Sequence, residues 1–150
     1  MKKMDRLALA FAGIVLPLAL AVAFATPAAS ASPNYDAYHS ALKQLRSARA
    51  YIEHPDSGEL HDQEKNAMAA IDMAIMELRS VADDGRSPED HDPLDSHMRW
   101  IARLNKAADI LNKAHDNIQK ENDSSQAKDR AIQDIGQAHK FIEQAIALEQ

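Results

Sequence analysis

One spacing occurs four times along the chain: a large apolar residue, an alanine three positions on, and a second large apolar residue four positions after that. It reads Leu45-Ala48-Ile52, Ile71-Ala74-Leu78, Leu104-Ala107-Leu111 and Ile135-Ala138-Ile142. Steps of three and four put every member on one stripe of an α-helix, and small residues between large ones let helices approach closely at a shallow angle. Flanking residues lengthen the stripes: Tyr38 and Ala41 in the first, Leu60 and Ala67 in the second, Trp100, Ala114 and Ile118 in the third, Ala131 and Ala145 in the fourth. No segment of this region alternates apolar and polar residues as a half-buried strand does. The first and third stripes superpose on a shift of 59 residues and the second and fourth on a shift of 64, as a duplicated helical hairpin would give.

The stripes predict an all-α fold. Breaks are expected at "HPDSGE" (54–59), "DDGRSPEDHDPLDSH" (83–97) and "KENDSSQ" (120–126). Short connections between long helices imply antiparallel neighbours, so the expected architecture is an up-down-up-down antiparallel four-helix bundle.

Ahead of the first stripe the chain opens "MKKMDR", runs apolar from Leu7 to Ala25 and ends "TPAASAS". A basic start, an apolar stretch and a small-x-small close describe a secretory signal peptide. The expected division is therefore 1–31 as signal peptide, cut after Ala29-Ser30-Ala31, and 32–150 as the bundle domain, with a periplasmic or secreted destination. No cysteine occurs, so an exported chain of this kind is held by its core and not by disulfides. The whole chain carries a formal charge of −6, and the leader takes three of its 17 basic residues and one of its 23 acids, so the remainder is more acidic, at −8. Such a balance argues against nucleic acid, and against any membrane contact beyond the leader, because both need a basic face.

The segment 83–97 supports two interpretations. Ser87-Pro88-Glu89-Asp90 and Asp92-Pro93-Leu94-Asp95 each combine a capping side chain, a proline and acids, as helix starts do, and Gly85 suits a helix stop. That leaves His91 and His97 with Asp95 between them, and imidazole with carboxylate oxygen suits copper or zinc. His39 is the expected fourth candidate, at the same end of the bundle, although helical rise places it about 12 Å from the level of His97. His97 falls on the third stripe, seven residues before Leu104. His139 and Glu143, four apart, are expected to form a weak surface pair.

Chemistry-bearing patterns are otherwise missing from the sequence. No glutamate has a histidine three positions on, as di-iron bundles require, and covalent haem attachment needs cysteine. No phosphate loop or Ser/His/Asp grouping is recognisable, so an enzyme is not expected. Met73 and Met76 fall on the outward side of the second helix, near Met68. Thioethers there suit Cu(I) or packing at a contact face, and packing is the favoured choice.

The stretches "YHSALKQLRSARAYIEHPD", "DDGRSPEDHDPLDSHMRW" and "RAIQDIGQAHKFIEQAI" resemble a family of small, exported, uncharacterised helical proteins, a resemblance that implies no activity. Through its Ala-rich heptads after a leader, the chain is also distantly similar to small periplasmic metal-binding four-helix proteins, which implies copper or zinc buffering. The expectation is a non-enzymatic exported bundle, without a cofactor, that acts through a protein partner or a structural role in the cell envelope. The alternative is weak divalent copper or zinc binding through His91, Asp95, His97 and His39. Tyr38, Trp100 and the outward methionines are the expected contact residues, and a homodimer is one form such contact would take.

Overall fold

The computed structural model describes residues 35–53, 60–87, 90–95 and 97–148, all within one compact unit, Ala31–Gln150. The expected signal peptide and its cleavage site, and the break at 54–59, lie outside the described residues. Four helices follow one another: α1 (Tyr35–Glu53), α2 (Asp62–Ala82), α3 (Trp100–Gln119) and α4 (Gln126–Ala147). No helix among the described residues is long and apolar enough to cross a membrane.

The fold is all-α with four helices, and the repeated spacing builds its core. All twelve residues of the four heptads are buried, and Tyr38, Ala41, Ala67, Ala114, Ile118, Ala131 and Ala145 extend the same cluster. Leu60 and Trp100 pack against it half-buried.

Helix order and direction differ from the expectation. α1 packs on α2 and α3, and α4 packs on the same two, so α1 lies diagonal to α4 and α2 diagonal to α3. Tyr38 and Gln44 of α1 bond Asp123 and Asn117 at the far end of α3, so α1 and α3 are antiparallel. Arg49 meets Asp72 across α1 and α2, and Arg130 meets Glu77 across α4 and α2, which makes both pairs antiparallel too. The Trp100 indole opening α3 reaches Glu64 in the first turn of α2. Thus α2 and α3 run the same way, and the order is up-down-down-up rather than up-down-up-down.

The cause is the connection between α2 and α3. A proline-and-cap unit can close a turn as readily as open a helix, and neither unit here opens α3. The Asp90 N–H donates to the Ser87 carbonyl at 3.0 Å and the Met98 N–H to the Asp95 carbonyl at 3.4 Å, while α3 waits until Trp100. α2 ends on Asp83 in the left-handed region (φ 47°), not on Gly85. The connection then crosses the outward face of α1, with Asp84 on Arg46 and Asp92 on Lys43 and Ser47, and descends beside α3 to Trp100.

This strap explains why α1 is the most enclosed helix. At 100° per residue Ser47 and Ala50 fall away from Leu45, Ala48 and Ile52, and Arg46 falls well to one side of them, yet all three are buried. Symmetry also follows from the helix directions. The hairpin α1–α2 faces the hairpin α3–α4 with α1 antiparallel to α3 and α2 to α4, the relation a two-fold axis gives. Those are the pairs that the shifts of 59 and 64 residues superpose.

Candidate functional site

Two features of α1 stand out: a buried ion pair that fastens the strap, and a groove on the side facing α2. Asp84 leaves α2 two residues past its last turn and turns its carboxylate inward. Its Oδ2 accepts from Arg46 Nη2 at 2.6 Å, with side-chain exposures of 1% and 2%. Its Oδ1 accepts from the Arg86 N–H at 3.2 Å, and its carbonyl accepts from Arg79 Nε at 3.0 Å. Burial by itself raises the Asp84 carboxyl; the Arg46 and Arg86 hydrogen bonds and both guanidinium charges outweigh it and hold the group below the usual carboxylate range.

A second clip closes the same end of the bundle. The buried Tyr38 hydroxyl donates to Asp123 Oδ2 at 2.7 Å, and Asp123 also accepts from the Ser125 N–H and hydroxyl. Ser125 in turn caps α4 by accepting from the Lys128 N–H. Burial and the neighbouring Asp123 push the Tyr38 hydroxyl well above its ordinary value. Burial raises Asp123, but the Tyr38 and Ser125 bonds prevail and leave it lowered. Tyr38 is thus a core anchor and is not available as a contact residue. Trp100, half-buried, donates its indole N–H to Glu64 at 2.6 Å and closes the opposite end.

The two clips fix a pH dependence. Asp84 and Asp123 are both lowered in the fold, so between folded and unfolded values the unfolded chain holds more protons and stability rises with pH. Their contribution is complete above the ordinary carboxylate range, near pH 4, and is lost as pH falls through the folded values. Tyr38 works at the other limit, losing its contribution as pH rises above about 10. Tyr38→Phe is expected to cost about 1–2 kcal/mol at neutral pH and to shift the alkaline limb upward. Urea unfolding monitored at Trp100 across pH tests this, and an unchanged alkaline limb would remove Tyr38 from the account.

The groove lies between α1 and α2. It encloses about 290 Å³ and is lined by Arg46, Arg49, Asp72, Ile75, Met76 and Arg79. Arg49 is held by Asp72 at 2.8 Å and Glu53 at 2.6 Å. A second groove of about 340 Å³ runs under the strap, between Ser47 and Tyr51 of α1 and Lys106 and Lys113 of α3, with Asp92 and Pro93 over it.

The four residues expected to hold a metal are dispersed. His39 Nδ1 is 4.0 Å from Asp84 Oδ1, beyond hydrogen-bond reach. His91 Nδ1 sits 2.8 Å from the Asp92 carbonyl, and Asp95 Oδ1 accepts the His97 N–H at 3.0 Å. The strap carries His97 to the end where α2 and α3 begin, whereas His39 lies where α1 begins. His97 is exposed and does not join the apolar stripe. Among the described residues no three His, Cys, Asp or Glu side chains could hold one ion. His139 and Glu143 form the expected surface pair at 3.5 Å.

Arg46, Arg49 and Arg79 were not marked by the sequence as a group. Their signal is faint: Arg46 and Arg49 stand one turn apart beside Leu45 and Ala48, and Arg79 follows Leu78, all off the stripe. Compared with known protein families, characterised proteins and solved structures, the chain matches none.

Proposed function

We propose that the protein is an exported, non-enzymatic interaction module of the cell envelope that docks a protein partner through the outward face of α2. The supporting observation is the exposure of Met73 (56%) and Met76 (72%) one turn apart on that helix, beside the arginines of the α1/α2 groove, on an acidic chain. Methionine suits such a face, being apolar and able to adapt its shape to a partner. Exposed large apolar groups rimmed by charge mark docking surfaces more often than isolated ones do.

A photo-crosslinking residue placed at Met73 in producing cells is expected to give a discrete adduct. The same residue at Asn112, exposed on α3, is expected to give none. An adduct of twice the protein's mass identifies a second copy as the partner. Met76→Asp should abolish the Met73 adduct while moving stability by no more than about 0.5 kcal/mol, as surface substitutions do. Equal labelling at Met73 and Asn112 defeats the proposal.

A further inference from the structure

The α1/α2 groove has the elements of a receptor as well as a boundary between helices. Three guanidiniums converge on it, and each is already anchored along one edge: Arg46 by Asp84, Arg49 by Asp72 and Glu53, Arg79 by the Asp84 carbonyl. Guanidinium is a planar fork of five donors, so a side chain fixed along one edge presents the remaining donors at low entropic cost. Arg46 is 2% exposed and its Nη1 has no hydrogen-bond partner among the described residues. A cation held this deep, with a donor unused, sits behind the two more open arginines and adds its field to theirs.

Charge and lining narrow the ligand. Arg46 and Arg49 have carboxylate partners, whereas Arg79 is tethered only by a carbonyl. One guanidinium without a carboxylate among the described residues matches a monoanion better than a phosphate dianion, which would also face Asp72. The other lining residues, Ile75 and Met76, are apolar, and Met76 stands open to solvent. A chain of methylenes laid along them would leave water, gaining about 0.8 kcal/mol per buried CH₂ in transfer terms, and would cover the methionine.

We infer that this groove binds a monocarboxylate carrying an aliphatic chain, with Arg79 and Arg49 on the carboxylate and Ile75 and Met76 along the chain. A carboxylate is the planar partner a guanidinium fork accepts in two parallel bonds, and it is the group that Arg46 and Arg49 already hold within the protein. The inference goes beyond the docking surface and does not require it.

Calorimetric titration of the protein, as purified from its host, with decanoate below its micelle concentration tests the site. Saturable binding near one per chain is expected, weaker by about tenfold or more in Arg79→Gln, since a charge-assisted pair is lost. Arg130→Gln, at an exposed position of α4 outside the groove, should leave it within about twofold, because exposed ion pairs contribute little. Acetate, with no chain to bury, should not saturate. A peptide ending in leucine, as free acid and as amide, separates the two sources: binding of the acid alone points to a chain terminus, and binding of decanoate alone to a free fatty acid. The inference is overturned if neither saturates, if Arg79→Gln binds decanoate as the parent does, or if inorganic phosphate binds as tightly as decanoate. Met73→Asp lies outside the groove lining, so it breaks the docking proposal's contact without touching this site, and the two can fail separately.

Discussion

Asp84→Ala is expected to lower the free energy of unfolding by about 3–5 kcal/mol, because it leaves the Arg46 guanidinium charged and buried without its counter-ion. Both side chains are nearly inaccessible, at 2.6 Å from each other. The same change releases the strap where it leaves α2, since Asp84 also accepts the Arg86 N–H. The pair is distinguishable from an ordinary surface bridge by its response to a second substitution. Arg46→Met added to Asp84→Ala removes the stranded charge and fills the space with a flexible apolar chain, and most of the loss should return. Denaturant midpoints for the two single variants and the double variant, with the slope held constant, measure the coupling. If the double variant is as unstable as the sum of the singles, the charge is not the source of the cost.

The second large effect compares two leucines that the 59-residue shift superposes. Leu45→Ala and Leu104→Ala both open a buried site, and each is expected to cost about 2–5 kcal/mol. The cost depends on how far the surroundings collapse into the cavity. α1 is enclosed by α2, α3 and the strap, while α3 keeps exposed residues such as Asn105, Asp109 and Asn112 along its outward side. Leu45→Ala should therefore fall in the upper half of that range and Leu104→Ala in the lower half. The reverse order, measured by the same unfolding curves, would mean that the strap does not stiffen α1.

The difference between these two leucines shows what the sequence could and could not reveal. Burial of Leu45 and Leu104 was legible because a 3-4 spacing has one physical solution, a helix with that stripe inward. Direction was not legible, since a stripe looks the same whichever way its helix runs. The one clue was length: 17 residues separate Ala82 from Trp100, more than the two to eight that join helices in bundles. Ser87 and Asp92, each ahead of a proline, mimicked helix starts and concealed it. Arg46 was illegible for a related reason. An arginine off the stripe reads as solvated, and only the strap, folded back from 38 residues away, makes it a buried partner of Asp84. The proposed metal residues failed to assemble on the same account. The connection runs from the end of the bundle where α1 begins to the end where α3 begins, so it carries His97 away from His39.

The up-down-down-up order has a mechanical consequence. Tyr35 starts α1 at the end of the bundle where Tyr38 meets Asp123, and α4 starts at that same end and runs 22 residues away from it. The two extremities of the bundle therefore stand apart by roughly 30 Å, at about 1.5 Å per residue. Tension applied there runs parallel to the helices and loads every lateral contact at once, in shear. In an up-down-up-down bundle both extremities share one end, and the same pull would peel the helices apart one layer at a time. Such a bundle therefore resists a pull between its extremities better than an up-down-up-down bundle with the same contacts.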